Sequence, residues 1–177
     1  MVSFRSAFTT VLSFALTVGV YPASIKPLVP QRRATEDEKA QFLQIHNDLR
    51  AQHGADPLTW NDTLADAAQT WADRCVFEHS GGQLGPYGEN LAAGAGGGYD
   101  LESAMNSWSV EASDYQASNP QPSHFTQMVW KDSTQLGCAV HSPCSDIFPG
   151  FDNALYYVCE YYPQGNVIGR FDDNVQA

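Results

Sequence analysis

The stretch PSHFTQMVW, residues 122–130, carries the pattern from which the fold can be worked out. Pro122 and Ser123 are typical of a helix start, because proline and serine are favoured at its first positions. His124 directly precedes an apolar run. It is either a helix-start residue that bonds the backbone or a site residue. The apolar side chains that follow at helical spacing are Phe125, Met128, Val129 and Trp130.

A longer helix is predicted upstream, in the stretch TEDEKAQFLQIHNDLRAQHG at residues 35–54. Thr35 and Glu38 form a capping box, in which each side chain bonds the other residue's backbone N–H. Gly54 suits the position just after the helix end. The apolar stripe predicted to face the core consists of Phe42, Ile45 and Leu49.

The remaining elements are a second helix after the DPLTWND turn, a third helix and two strands. The third helix is predicted to start near Asp100, with Trp108 and Glu111 on one face. Residues 135–142 and 154–162 read as strands, and the second alternates regularly between its two faces. Because helices come first and strands later, the sequence predicts an α+β layered domain rather than a doubly wound one.

The N-terminal part of the chain has the features of an export signal. Arg5 is followed by an apolar run at residues 7–20, which is too short to span a bilayer. We expect residues 1–23 to be a signal peptide and 24–33 a short propeptide that ends in a dibasic site. The alternative for residues 24–33 is an unprocessed linker. We expect residues 34–177 to form the domain.

The charge of the predicted mature domain excludes some partners. Residues 34–177 contain five basic and 20 acidic residues, a net charge of −15. Such a surface argues against nucleic acid or an anionic membrane as the main partner, because both carry negative charge. No transmembrane segment is expected, and no heptad pattern or extended apolar run argues against a monomer.

Cysteine usage agrees with an oxidising compartment. An even number of cysteines behind an export signal indicates two disulfides, with three pairings open at this point. The sequence NDT makes Asn61 a candidate glycosylation site, although Asn61 or Asp62 also suits the cap of the second helix. The four cysteines are Cys75, Cys138, Cys144 and Cys159.

Two histidines and two carboxylates stand out as candidate site residues. Glu111 lies on the apolar face of the third helix, where burial would be costly without a partner. His53 and His141 are expected at the surface or in loops. Sequence separation alone does not show whether the four candidates converge; they are His79, Glu89, Glu111 and His124.

Four motifs in order give a specific resemblance to a known family. They are HNDLR at 46–50, GENL at 88–91, HFTQMVW at 124–130 and YYVCEYYPQGNV at 156–167. Together they resemble the CAP superfamily of cysteine-rich secretory, antigen 5 and pathogenesis-related 1 proteins, in particular its secreted fungal single-domain members. The resemblance covers about residues 40–170, nearly all of the mature chain.

The resemblance implies a three-layer α-β-α sandwich with a central cleft. It places His79, Glu89, Glu111 and His124 in that cleft, and it pairs Cys75 with Cys144 and Cys138 with Cys159. The chain departs from the family at Ser123, where glycine or a charged residue is usual. It departs again at Glu160, where an uncharged or basic polar residue is usual.

Two imidazoles and two carboxylates form a set that can hold a weakly bound divalent cation, zinc or magnesium. The alternative is a structural network in which the four side chains satisfy one another. No cofactor is required by either interpretation.

The family resemblance also implies binding of a small lipid, a sterol or a fatty acid. Tyr115 is the only aromatic residue in the loop before the HFTQ helix, which makes this loop a poor lid for a sterol. A fatty acid could lie between the first and fourth helices, lined by Phe42, Ile45 and Met128, although these residues also suit an ordinary core.

An enzyme is the less favoured interpretation. The chain has neither HExxH nor GxSxG, so a metal-dependent hydrolase of the peptidase kind remains only an alternative. A secreted effector that acts by interaction alone, in defence or at a host interface, is the third.

Overall fold

The computed structural model describes residues 33–176, so the predicted signal peptide and residues 24–32 of the predicted propeptide lie outside the described residues. A four-stranded sheet with the order β1-β3-β4-β2 forms its centre. β1 runs parallel to β3, and the other two pairs are antiparallel. The strands are β1 Thr59–Trp60, β2 Gly88–Gly94, β3 Gln135–Cys144 and β4 Ala154–Tyr162.

Five α-helices and one short 3-10 helix surround this sheet in the described part of the chain. A 3-10 helix, Val110–Asp114, continues directly from α3. The α-helices are α1 Glu36–Gln52, α2 Asp62–Ala72, α3 Leu101–Ser109, α4 His124–Met128 and α5 Phe171–Asn174. Among the described residues, no helix is long and apolar enough to cross a membrane.

Local capping fixes where the helices begin. Thr35 and Glu38 form the predicted capping box at the start of α1. The Asn61 side chain accepts hydrogen bonds from the first turn of α2, and Asp100 does the same for α3. Ser123 caps α4 in a reciprocal pair of bonds with Thr126. Each cap satisfies a backbone N–H that the helix leaves free.

Helices cover both faces of the sheet, as the expected three-layer sandwich requires. α2 packs on one face, where Trp71 meets Tyr156 and Val158 of β4 in one core cluster. The other face is covered by α1, α3 and α4, whose apolar side chains form a second cluster with Tyr157 and Cys159. The alternation along β4 therefore divides its side chains between two cores.

The predicted apolar stripe of α1 packs on the core, but it is not the most buried part of the helix. Phe42 is fully buried, but Ile45 and Leu49 are only partly buried. His46 and Arg50, one and two turns after Phe42, are fully buried in their place. The physical reason is that both polar side chains find hydrogen-bond partners inside the fold, which removes the usual cost of burying them.

Two disulfides close the domain, with the pairs that the family resemblance implies. Cys75 and Cys144 join the end of α2 to the end of β3, with 5.3 Å between their Cα atoms. Cys138 and Cys159 face each other on adjacent strands. No free cysteine remains.

Candidate functional site

An open cavity of about 650 Å³ contains all four candidate residues. It lies beside β2, the edge strand of the sheet, and Glu89 and Asn90 of that strand form part of its wall. Glu111 comes from the 3-10 helix and His124 from the start of α4. The loop at 115–123 completes the wall with polar side chains and Tyr115.

The first pair in this cavity is His79 with Glu89. The His79 Nδ1 lies 2.7 Å from Glu89 Oε1, which also accepts the Ser80 backbone N–H at 2.8 Å. Burial raises the pKa of Glu89, but the hydrogen bonds from His79 and Ser80 outweigh it and hold that pKa below its usual value. The hydrogen bond to Glu89 raises the pKa of the His79 imidazole. His79 stays 62% exposed, so its ring is open to a ligand.

The second pair in this cavity is His124 with Glu111. Glu111 Oε1 lies 2.7 Å from His124 Nδ1, and Glu111 Oε2 accepts the backbone N–H groups of His124 and Phe125. The imidazole stacks on the Trp108 ring, with 5.8 Å between centroids. His124 therefore begins the helix and also projects an oriented ring towards the cavity.

A buried network holds the backbone of His124 to the sheet. Asn90 Nδ2 donates to the carbonyl of His124 at 3.0 Å and to the Tyr161 hydroxyl at 3.1 Å. That hydroxyl lies 2.8 Å from His46 Nε2. Sequence reasoning did not single out Asn90 or Tyr161, although both lie inside motifs that carry the resemblance. Both residues carry polar groups at positions next to apolar ones in the motifs. This was the signal in the sequence that could have indicated a buried network.

Asn166 ties the last motif to the start of α4. Its Nδ2 donates to the carbonyl of Ser123 at 3.0 Å, and its Oδ1 accepts from the Thr126 hydroxyl at 2.6 Å. A positive φ of 55° aims this side chain, a conformation that asparagine tolerates better than most residues. Ser123, where the family pattern differs, thus caps α4 and also lines the cavity.

The four candidates are arranged as two His–Glu pairs rather than as one tight cluster. Within residues 33–176, no three of them have their ligand atoms all within 4.8 Å of one another. The set that does is Cys75, His141 and Cys144, whose two sulfurs are already joined in a disulfide. His141 lies in β3 rather than in a loop, and its Nδ1 is 2.7 Å from Asp73.

The residues expected to line a fatty-acid site do not form one groove. Phe42 and Met128 are fully buried in the core. Ile45 borders a separate cavity of about 450 Å³, whose other lining residues are polar or charged. They are Asp100, Glu102, Ser103, Asn106 and Ser109.

The candidate glycosylation site has a structural role. Asn61 Oδ1 accepts the backbone N–H of Thr63 at 2.8 Å, and Asn61 Nδ2 donates to Gln135 Oε1 at 2.6 Å. The expectation that Asn61 caps the second helix is confirmed. A glycan at this residue stays a prediction.

Comparison with known proteins identifies the family. The sequence profile of the cysteine-rich secretory protein family, CAP, matches residues 43–161. Fruiting body protein SC14 of Schizophyllum commune is 41% identical over 155 residues, which is 80% of this chain and 70% of that protein. Secreted protein RBT4 of Candida albicans is 43% identical over 138 residues, 73% of this chain but only 36% of that one. The chain belongs to the cysteine-rich secretory protein family.

Solved structures agree with this assignment. The crystal structure of NaASP2 with Zn2+ superposes with a TM-score of 0.61 at 25% sequence identity. The match covers 79% of this chain and 86% of that one. The α-β-α sandwich expected from the sequence is thus the fold of this family.

Proposed function

We propose that this protein is a secreted CAP-domain binding protein that holds a divalent cation between the imidazoles of His79 and His124. The observation that carries the proposal is the shared geometry of the two His–Glu pairs. Each Nδ1 is hydrogen-bonded to a glutamate at 2.7 Å, and both rings line the same cavity. Among the described residues, neither Nε2 has a hydrogen-bond partner, so both nitrogens are open to a cation.

This arrangement gives the two kinds of residue different roles. Histidines that bind metals commonly donate their other ring N–H to a carboxylate, which fixes the tautomer and makes the ring a better ligand. His79 and His124 are the proposed ligands, while Glu89 and Glu111 hold them in position. This assignment sharpens the expectation from the sequence, in which all four side chains were candidate ligands.

The donor set favours zinc over magnesium. Zinc binds imidazole nitrogen readily, whereas magnesium prefers oxygen donors and keeps its water molecules. Two protein ligands leave the remaining coordination positions to water or to a bound molecule, so we expect the site to be weak and open. The zinc named with the NaASP2 structure supports zinc as the first cation to test.

The same geometry supports binding over hydrolysis. A metal-dependent hydrolase needs a base near the metal-bound water. Glu89 and Glu111 are the nearest candidates, and both already accept hydrogen bonds from a histidine and from backbone N–H groups. In both glutamates, hydrogen bonds therefore already occupy oxygens that would have to accept the proton of the water.

A fatty acid or a sterol is the second proposed class of ligand, and the family resemblance is its basis. A lipid between α1 and α4 would have to displace Phe42 and Met128, which are fully buried. Saturable binding of labelled palmitate or cholesteryl acetate by the purified protein would establish this class. Binding of neither would leave the cation as the proposed ligand.

Calorimetric titration of the chelator-stripped secreted protein tests the cation proposal. We expect saturable heat with zinc, less with magnesium, and none with zinc in the double variant His79→Ala, His124→Ala. His53→Ala is the matched control, because His53 lies outside the cavity and should leave the heat unchanged. No heat at millimolar zinc, or equal heat in the double variant, would refute the proposal.

A further inference from the structure

Two buried glutamates face each other directly behind His79. Glu89 of β2 and Glu160 of β4 are register partners in the antiparallel ladder. Glu160 is 1% exposed, and the Glu89 side chain is 7% exposed. Directly opposed side chains on neighbouring strands lie about 5 Å apart at Cβ, close enough for two carboxyl groups to meet.

Each glutamate of this pair has one buried oxygen that no hydrogen-bond donor in the described part of the chain reaches. Glu89 Oε1 accepts from His79 and from the Ser80 backbone. Glu89 Oε2 and Glu160 Oε1 are buried, and no donor among residues 33–176 bonds to either oxygen. A proton on one carboxyl group satisfies both oxygens at once, whereas two buried negative charges in contact would repel each other.

The proton belongs on Glu160 because Glu89 has the other donors. The two hydrogen bonds that Glu89 accepts stabilise its ionised form. Burial, and then the neighbouring charge of Glu89, raise the pKa of Glu160 to about 9. Geometry and electrostatics therefore agree on which residue donates.

We propose that Glu160 donates a hydrogen bond from its neutral carboxyl group to Glu89 Oε2 and thereby positions His79 for the cation. This inference rests on the proposed function. Glu160 is a positioning residue, since it acts on His79 only through Glu89. With both Glu89 oxygens engaged, the carboxylate is fixed, the His79 proton stays on Nδ1, and Nε2 keeps its lone pair for the ligand.

The second pair in the cavity provides an internal comparison. Glu111 receives its hydrogen bonds from His124 and from the His124 and Phe125 backbone N–H groups. Glu160 has no part in that arrangement. A change at Glu160 should therefore alter the His79 ring and leave the His124 ring as it was.

Glu160→Gln and Glu160→Met in the full secreted protein separate hydrogen bonding from packing. Glutamine keeps an N–H donor for Glu89, while methionine has a similar size and none. We expect Glu160→Gln to keep the wild-type zinc affinity within about threefold and Glu160→Met to lower it about tenfold, as for other partners of metal-binding histidines. Nitrogen NMR of the metal-free protein should show a tautomer mixture at His79, but not at His124, in Glu160→Met alone.

Among the variant results, the inference is overturned by an unchanged His79 tautomer in Glu160→Met, by equal losses in both variants, or by an equal change at His124. A measurement on the unsubstituted protein makes the test independent of variant folding. The carboxyl ¹³C resonance of Glu160 should have the position of a neutral acid, and a carboxylate position would refute the donor role. If the wild type binds no zinc but the NMR results hold, only the proposed function fails.

Discussion

Arg50 shows how a single charged side chain can organise the fold around the cavity. It is fully buried and has no carboxylate partner among the described residues; its guanidinium donates to backbone carbonyls instead. Two of these bonds reach the carbonyls of Met128, the last residue of α4, and of Trp130 just after it, so Arg50 holds the C-terminal end of the helix. The four carbonyls belong to Asp56, Met128, Trp130 and Ser133, at 2.7 to 2.9 Å.

Replacing this guanidinium should be costly. Arg50→Met leaves buried carbonyl oxygens without donors, and we expect a loss of at least about 3 kcal/mol in the free energy of unfolding. Denaturant unfolding measures it. Arg170→Met is the control, because Arg170 pairs with Asp132 at the exposed surface and should cost less than about 1 kcal/mol. Equal costs for the two variants would contradict this role of Arg50.

His46 makes stability depend on pH. Burial, reinforced by the Arg50 charge, lowers the pKa of His46 from 6.5 to about 4. Between these two pKa values, His46 therefore binds a proton in the unfolded chain but not in the folded protein. This contribution, about 3 kcal/mol, is complete above the unfolded pKa and is lost as the pH falls from 6.5 to about 4.

The variant His46→Gln isolates this effect. Glutamine can still hydrogen-bond but does not titrate, so the unfolding free energy of the variant should change less across this pH range than that of the wild type. The comparison requires denaturant unfolding at several pH values. Parallel pH profiles for the two proteins would exclude His46 as the source.

At the scale of elements, the contact between α2 and β3 depends on one glycine. A Cβ at Gly137 would lie 2.5 Å from the Leu64 carbonyl carbon and closer still to the Ala65 backbone nitrogen. Backbone atoms cannot move aside as a flexible side chain can. We expect Gly137→Ala to lower the unfolding free energy by about 2 to 3 kcal/mol, because it pushes the helix off the sheet.

Gly97→Ala is the matched control for this substitution. Gly97 lies in the loop before α3, and a Cβ there meets nothing within 4 Å. Its free energy of unfolding should stay within about 0.5 kcal/mol of wild type. If Gly137→Ala were equally mild, the close packing of α2 on β3 would be wrong.

Most elements could be predicted from the sequence because their signals are local. The capping box of Thr35 and Glu38, the cap at Asn61 and the alternation of β4 each depend on residues a few positions apart. The buried face of α1 could not be predicted in this way. His46 and Arg50 are buried because residues far along the chain, such as Tyr161 and Trp130, supply their partners.

On the scale of the whole molecule, the long-range disulfide is a main constraint on the unfolded chain. The Cys75–Cys144 bond spans 69 residues, and the Cys138–Cys159 bond spans 21. Closing a loop of the longer kind removes entropy from the unfolded state worth about 4 kcal/mol. We expect the double variant Cys75→Ala, Cys144→Ala to lose roughly that much in urea unfolding. A loss below about 1 kcal/mol would contradict this.

The cavity also belongs to this scale, because several distant parts of the chain form its wall. Sequence analysis named the four candidate residues, and the resemblance placed them in one cleft. The sequence could not show that the four residues form two His–Glu pairs. The pairing depends on how the intervening loops place Glu89 and Glu111 relative to the two histidines. Glu160 stood out only as a departure from the family pattern, and its contact with Glu89 follows from strand register.

Anomalous diffraction from zinc-soaked crystals of the purified protein is the most direct test of the central claim. We predict one zinc peak in the cavity, bonded to Nε2 of His79 and Nε2 of His124 at about 2.0 to 2.1 Å. Glu89 and Glu111 should remain on the opposite nitrogens of the two rings. A cavity without zinc, or zinc held only by surface carboxylates, would contradict the account.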